Sequence, residues 1–182
     1  SRLPTMTPDR PPRVLVFIVA YHAETTILGV LERIPPLAGY DVEVLMIDDG
    51  STDGTFALSE KLRRLKTYRH KLTVLANPVN QGYGGNQKLG YHYAIEHGFD
   101  FVVLVHGDGQ YAPEMLPEML APLARGEADV VHVPGDGVAE EQQQEEGQHE
   151  REHHQQREVG DHRAVHGGEE IRLLARVRVG EG

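Results

Sequence analysis

The feature that most constrains this chain is a mostly apolar segment that ends in two adjacent carboxylates. Val42 to Ile47 is rich in aliphatic residues, and Asp48 and Asp49 follow it directly. The next residues, Gly50 to Thr55, are small and polar types that favour turns, and a helix-like pattern begins after them. Ligands bind beyond the carboxyl ends of strands in open α/β sheets, so this pair of acids indicates a ligand site.

A second segment of the same kind follows further along the chain. Phe101 to Val105 is continuously apolar and runs into His106, Gly107 and Asp108. If both segments are strands of one parallel sheet, their carboxyl ends meet at the same edge. Two acidic strand ends at one edge suit a nucleotide together with the metal ion on its phosphates.

The pattern along the chain predicts an α/β fold with an open, mostly parallel sheet and helices on both faces. Between the third strand and the third helix, Gly82 to Gly85 is predicted to form a flexible turn. The predicted strands are Arg13–Ala20, Val42–Asp48, Leu72–Ala76, Phe101–Val105 and the segment starting at Asp129–Val133. The predicted helices are Glu24–Ile34, Asp53–Lys66, Asn86–His97 and Pro113–Ala124.

Composition divides the chain into three parts. Residues 1–12 are predicted to be an N-terminal arm, residues 13–133 a folded core, and residues 134–182 a low-complexity acidic and His-rich tail. The stretch up to residue 170 is predicted to be disordered or loosely helical, because it offers little apolar surface to bury. Ile171 to Val179 is a weak amphipathic candidate. The abrupt change of character after the core favours a truncation or a change of reading frame there.

Charge and composition exclude several classes of protein. The 182 residues carry a formal net charge of -10, which disfavours a nucleic-acid partner. The chain has no cysteine, so disulfides and thiolate metal sites are excluded. The longest apolar run, Val14 to Tyr21, is shorter than the roughly 20 residues of a spanning helix. Since residues 1–12 also lack a signal-peptide core, we expect a cytoplasmic protein or one that is peripheral at the inner face of the membrane.

Four short motifs follow one another along the chain: Val19–Glu24, Ile47–Thr55, Asn80–Gly85 and Gly107–Glu114. In this order and spacing they resemble the family 2 glycosyltransferases, which have the GT-A fold. The nearest branch resembles the dolichyl-phosphate mannose and polyprenyl-phosphate glucose synthases. The resemblance covers residues 13–133 and implies a nucleotide-sugar-binding core, the N-terminal half of a nucleotide-diphospho-sugar transferase.

The resemblance implies a hexosyltransferase that inverts the anomeric centre. Its donor would be a UDP- or GDP-sugar, and its acceptor a polyprenyl phosphate or a glycan. The family uses Mg²⁺ or Mn²⁺, because a hard divalent cation neutralises the charge that develops on the leaving diphosphate. The open edge of an incomplete sheet also favours self-association into a homo-oligomer.

The resemblance also implies which residues would bind the donor. Tyr21 would pack beside the base, and Asp48 or Asp49 would accept hydrogen bonds from the base or ribose. Asp108, from the family's Asp-x-Asp motif, would hold the metal on the diphosphate. Two further candidates for nucleotide-sugar binding are Gly82, by close approach of its backbone, and Lys88, through a phosphate.

The sequence departs from the family pattern in three places. Where the family usually has Asn and Glu after the strand-one Tyr, this chain has His22 and Ala23, so Glu24 is the candidate for the acidic role. His106 replaces the first Asp of Asp-x-Asp, and Gln110 is a further candidate metal ligand beside it. Imidazole suits Mn²⁺ better than Mg²⁺. The half that usually carries the acceptor site is not recognisable, so the catalytic base is unknown.

Other readings of the same residues stay open. Asp49 to Glu60 fits the spacing of an EF-hand calcium loop. Gly82 to Gln87 begins like a dinucleotide fingerprint but lacks its third glycine. A remnant that binds nucleotide sugar without catalysis would share the core motifs. The pairs His149/His153 and His162/His166 have a spacing that binds metal on a helix.

Overall fold

The computed structural model describes residues 10–109, 112–127, 130–134 and 171–176. These residues form one six-stranded sheet with the order β3-β2-β1-β4-β6-β5. Strands β1 to β4 are parallel to one another, whereas β6 is antiparallel to both β4 and β5. The strands are β1 Arg13–Ala20, β2 Asp41–Asp48, β3 Lys71–Ala76, β4 Phe101–His106, β5 Val130–Pro134 and β6 Ile171–Arg176.

Helices cover both faces of the sheet. Helices α1, α2 and α4 pack on one face, and α3 packs on the other. The predicted α/β class, with an open and mostly parallel sheet, is therefore confirmed. The helices are α1 Ile27–Arg33, α2 Thr55–Leu65, α3 Gly82–Glu96 and α4 Leu116–Ala124, the last preceded by a 3₁₀ turn at Pro113–Met115.

Strand β1 lies between β2 and β4 and is buried on both faces. Its side chains alternate: Val14, Val16 and Ile18 face the layer of three helices, while Leu15 and Phe17 face α3. All five are 0% exposed. Burying aliphatic or aromatic side chains of this size stabilises a fold by about 1.5–3 kcal/mol each, so β1 anchors the sheet and fixes where its neighbours end.

The third helix starts earlier than the sequence predicts. The predicted turn at Gly82–Gly85 is wrong, because these residues form the first turn of α3, which begins at Gly82 rather than Asn86. Glycines weaken an isolated helix, but hydrogen bonds to a residue outside the helix stabilise this helix start. The amides of Gln81 and Gly82 donate to the buried Asp49 carboxylate, a contact that local sequence does not reveal.

The sheet extends beyond the predicted core boundary at residue 133. Strand β6, within the predicted tail, lies between β4 and β5 and is hydrogen-bonded to both. Residues 135–170, with the predicted disorder and the two histidine pairs, lie outside the described residues. None of the helices in the described part of the chain has the length and apolarity to cross a lipid bilayer.

The contact between α3 and β1 gives a test of the packing. A Cβ built on Gly90 would stand 2.2 Å from two carbons of the Phe17 ring, which is fully buried. We expect Gly90→Ala to lower the free energy of unfolding by about 1–3 kcal/mol, because overpacking a buried site displaces its neighbours. Urea denaturation followed by circular dichroism measures this change.

Gly29 in α1 provides the matched control. It is exposed, and a Cβ built there meets no atom within 4 Å. Gly29→Ala should raise the free energy of unfolding by about 0.4–1 kcal/mol through a less flexible unfolded chain. If both substitutions change stability in the same direction, the close contact between Gly90 and Phe17 is wrong.

Helix α2 ends on a residue with left-handed backbone. Lys66 has φ 53 and ψ 18, a conformation that glycine adopts without the Cβ penalty. We expect Lys66→Gly to raise the free energy of unfolding by about 1 kcal/mol, measured as an increase in Tm. Lys66→Ala removes the same charge but keeps the strain, so an equal gain from alanine would contradict the conformational explanation.

Candidate functional site

The two predicted acidic turns leave the sheet at the same edge, on either side of β1. In the register, Ala20 of β1 pairs with Asp48 and Val19 pairs with His106. The strand spacing places Asp48 and His106 about 10 Å apart, with β1 between them. The convergence that the sequence predicts for these two segments is therefore present in the fold.

Hydrogen bonds beyond the strand ends hold both turns against β1. The Asp49 amide donates to the Ala20 carbonyl at 2.8 Å, and the Gly107 amide donates to the Val19 carbonyl at 2.9 Å. A Cβ on Gly107 would stand 2.9 Å from the Ala20 Cβ, so glycine is needed for this close approach. The last two residues of β1 thus position the turns that carry Asp48 and Asp108.

Asp49 is an internal anchor at this edge. Its side chain is 3% exposed, and both of its oxygens accept hydrogen bonds from the chain itself. The donors are Asn77 Nδ2 at 2.8 Å and the amides of Gln81 at 2.8 Å and Gly82 at 3.2 Å. Burial alone would raise the pKa of this carboxyl, but the hydrogen bonds favour its ionised form and bring the pKa below its ordinary value.

Asp48 has a different environment although it is equally buried, at 3% exposure. The described part of the chain supplies its carboxylate with a single bond, from the Ser51 amide to Oδ1 at 3.3 Å. A carboxylate can accept more bonds than this. Of the two adjacent acids, Asp48 therefore has the greater capacity to accept hydrogen bonds from a ligand, and Asp49 serves the fold.

The loop after β1 presents an aromatic surface beside this edge. The Tyr21 side chain is 53% exposed, and its ring stacks on that of His22 with centroids 4.1 Å apart and planes at 20°. Glu24 is also exposed, and its carboxylate lies against Gly54 at the start of α2. The predicted base-contacting residue is thus accessible to a ligand, whereas Glu24 faces a helix terminus of its own chain.

The turn after β4 is held by α1 as well as by β1. Thr26 donates its hydroxyl to the Gly107 carbonyl at 2.6 Å. Further along, Glu114 forms a double hydrogen bond with Arg33 of α1, at 2.7 and 2.9 Å. Between these contacts Asp108 is exposed, while His106 is half-buried at the end of β4. The exposed carboxylate therefore stands on a fixed turn.

The donor set around Asp108 suits a cation that arrives with a ligand. Among the described residues, no three His, Asp or Glu side chains lie close enough together to hold a metal ion. Gln110, the third predicted ligand, lies outside the described residues. Cations bound with substrate phosphates commonly use one or two protein carboxylates and fill their other positions with phosphate oxygens and water. Asp108 and His106 fit that mode of binding.

The structure also places the remaining predicted residues. The Gly82 amide is engaged by Asp49 and by the Asn80 side chain at 2.8 Å. Lys88 is exposed in the second turn of α3. The dinucleotide reading of Gly82–Gln87 fails, because this segment lies inside a helix that follows the edge strand β3 rather than a phosphate loop after a central strand.

The EF-hand reading of Asp49–Glu60 is wrong. An EF-hand loop needs a helix before it, whereas Asp49 directly follows strand β2. Glu60, at the position of the bidentate calcium ligand, pairs with Arg63 at 2.8 and 2.9 Å within α2. The acidic residues at calcium-loop spacing therefore have other roles. Asp49 anchors the fold, and Glu60 forms an ion pair on the surface of α2.

Sequence reasoning missed the residues that support the site. Asn77 follows directly after β3, and its side chain donates to Asp49 and to Asn86, each at 2.8 Å. The contribution of Thr26 to the Asp108 turn was also missed. An asparagine at a strand end is only a weak local signal for a side-chain contact with a distant residue. A threonine near a helix start is first interpreted as a helix cap.

Comparison with known proteins identifies the family of the chain. The family model described as "Glycosyl transferase family 2" matches residues 15–170. The polyprenol monophosphomannose synthase of Mycolicibacterium smegmatis is 31% identical over 130 residues, which are 69% of this chain and 48% of that protein. The undecaprenyl-phosphate mannosyltransferase of Micrococcus luteus is 32% identical over 108 residues, 59% and 43% of the two chains. The chain spans about half the length of these relatives.

Solved structures show the same fold. The mannosyltransferase PcManGT of Pyrobaculum calidifontis, solved with GDP-Man and Mn²⁺, superposes with a TM-score of 0.55 at 23% identity, covering 69% of this chain and 36% of that one. Residues 1–349 of S. aureus TarS give a TM-score of 0.51 at 25% identity, covering 71% and 37%. Since the family model matches most of the chain, the protein belongs to glycosyl transferase family 2.

Proposed function

We propose that this chain forms the donor-binding part of an inverting glycosyltransferase that moves a sugar from a UDP- or GDP-sugar to a polyprenyl phosphate. The observation that carries the proposal is the common edge of the sheet. There Asp48 lies on one side of β1 and the Asp108 turn on the other, with the exposed Tyr21 ring following β1 itself. A nucleotide diphosphate can span these groups.

The relatives favour a lipid-phosphate acceptor. Two are named for polyprenol or undecaprenyl phosphate. A third, from Methanococcus voltae, is a UDP-N-acetylglucosamine–dolichyl-phosphate N-acetylglucosaminyltransferase with 26% identity over 127 residues. These names include mannose and N-acetylglucosamine as transferred sugars. Because different sugars are carried on different nucleotides, the test includes both a UDP-sugar and a GDP-sugar. A polyprenyl-phosphate acceptor would bring the protein to the membrane surface.

Each residue would act on a distinct part of the donor. Tyr21 offers its ring to the base, and Asp48 accepts hydrogen bonds from the base or ribose. Asp108, with His106 at its side, would hold a divalent cation, Mg²⁺ or Mn²⁺, against the diphosphate. When bound, that cation would neutralise charge on the departing diphosphate. The fixed backbone of both turns would keep these groups at a constant separation.

The nature of the acceptor bears on the missing catalytic base. A phosphate monoester is largely ionised at neutral pH, because its second pKa is about 6. Its oxygen is then already a nucleophile, and attack on the face opposite the leaving group inverts the anomeric centre. A hydroxyl acceptor on a glycan would instead need a general base, for which the described residues offer no assignment.

A second candidate function is donor binding without transfer. The chain covers about half the length of its relatives, so donor binding and transfer are tested separately. Calorimetry with UDP-glucose and GDP-mannose, with and without Mn²⁺, tests donor binding. Incubation of the bound donor with polyprenyl phosphate, or with a glycan, then tests transfer. Binding without transfer would favour the remnant, and the absence of binding would refute both.

Asp108 gives the first prediction for the site. We expect Asp108→Asn to weaken Mn²⁺-dependent binding of the nucleotide sugar about tenfold or more, because the cation loses a charged ligand. Binding in the absence of metal should change little. Glu118→Gln, which removes one negative charge from an exposed position on α4, is the control. An equal effect of both variants would contradict a local role for Asp108.

Tyr21 gives a second prediction. We expect Tyr21→Ala to raise the Kd for UDP or GDP by roughly tenfold to a hundredfold, because stacking of a base on an aromatic ring contributes about 1–3 kcal/mol. Tyr21→Phe keeps the ring and should bind nearly as the wild type does. Calorimetric titration measures both. If the phenylalanine variant loses as much affinity as the alanine variant, stacking is not the basis of the contact.

A further inference from the structure

The polar residues that follow Asp49 hold the loop after β1. Three consecutive amides of this loop donate to side chains on the segment that runs from the end of β2 to the first residue of α2. The His22 amide donates to Ser51 Oγ at 2.9 Å, and the Ala23 amide donates to Thr55 Oγ1 at 2.9 Å. The third amide, that of Glu24, donates to Asp53 Oδ2 at 3.4 Å. We call Ser51, Asp53 and Thr55 the loop clamp.

The members of the loop clamp are themselves fixed. Thr55 is fully buried and donates its hydroxyl to Asp53 Oδ1 at 2.6 Å, while its amide donates to the same oxygen at 3.0 Å. The hydrogen bond from the Thr55 hydroxyl lowers the pKa of the Asp53 carboxyl below its usual value. The clamp therefore moves with the start of α2 rather than with the loop.

The clamped loop contains a strained residue. His22 has φ 47, a left-handed conformation that residues with a Cβ adopt at a cost of about 1–2 kcal/mol. Such strain persists where surrounding contacts over-determine the backbone, and it clusters at functional positions. The Ser51 hydroxyl accepts the His22 amide itself, and the His22 ring also lies 3.2 Å, Nε2 to Oγ1, from the Thr52 hydroxyl.

The strained turn determines where the Tyr21 ring stands. The reversal at His22 brings the imidazole under the phenol ring, so that the two rings stack while the outer face of Tyr21 stays exposed. Ordering this loop before a ligand arrives lowers the entropy that binding would otherwise cost.

We propose that Ser51 is a positioning residue for nucleotide binding, because its hydroxyl fixes the His22 backbone and thereby preorganises the Tyr21–His22 ring pair as a platform for the base. This inference rests on the proposed function and goes further, since it assigns to the Ser/Thr-rich turn a role on the base side of the donor. It separates that role from the metal and diphosphate side at Asp108.

The test compares ligands with and without a base. Calorimetry measures binding of UDP, of GDP and of inorganic pyrophosphate, each with Mn²⁺, to the complete chain. For Ser51→Ala we expect the Kd of the preferred nucleotide to rise roughly threefold to tenfold, the effect of one lost hydrogen bond. The Kd of pyrophosphate should stay unchanged, and Ser51→Thr, which keeps the hydroxyl, should restore nucleotide binding.

Two further variants distinguish positioning from general stability. Ser59→Ala also removes a hydroxyl, one that is buried and donates to the Thr55 carbonyl at 3.0 Å inside α2 without touching the loop. It should leave nucleotide affinity unchanged at temperatures well below its Tm. If Ser51 acts through Tyr21, then Ser51→Ala should cause no further loss in a Tyr21→Ala background.

The outcomes separate the two proposals. If the wild-type chain binds neither nucleotide, the proposed function fails and the role of Ser51 fails with it. If the wild type binds but Ser51→Ala binds equally well, the positioning role alone is overturned. The same holds if Ser51→Ala weakens pyrophosphate as much as nucleotide, or if its effect adds to that of Tyr21→Ala.

Discussion

The site depends on two backbone hydrogen bonds at the end of one strand. The carbonyls of Val19 and Ala20 accept hydrogen bonds from the amides of Gly107 and Asp49, which directly follow the neighbouring strands β4 and β2. Because β1 is buried on both faces, these carbonyls cannot shift without disturbing the core. The distance between the two acidic turns is therefore set by the spacing of the strands.

The acidic residues near the site differ in how many hydrogen bonds they accept from the chain itself. Asp49 binds the start of α3, and Asp53 binds the start of α2. Asp48 is buried but accepts one bond within the described part of the chain, and Asp108 is exposed on its own turn. Asp49 and Asp53 thus fix the helices around the site, while Asp48 and Asp108 are the acids to which the proposed function assigns contacts with a ligand.

The positions of β1, β2 and β4 could be predicted from the sequence, because long apolar runs mark each strand within one residue of its observed bounds. The ends of such strands in a parallel sheet must share an edge, which predicted the convergence of Asp48 and Asp108. The start of α3 could not be predicted, because it depends on a contact from Asp49 far away in the chain. Strand β6 gave only a weak amphipathic signal, because the residues before it are of low complexity, and no pattern distinguished Asp49 from Asp48.

The different surroundings of these two adjacent acids bear on how mutational scans of the family's motif are interpreted. Substituting Asp49 would remove the acceptor that the amides of Gln81 and Gly82 share, and a loss of activity caused by this change would resemble the loss of a contact to substrate. Activity alone cannot tell an architectural carboxylate from a recognition carboxylate when they are neighbours in sequence. Solubility and melting behaviour, recorded for every variant, would assign each to its class.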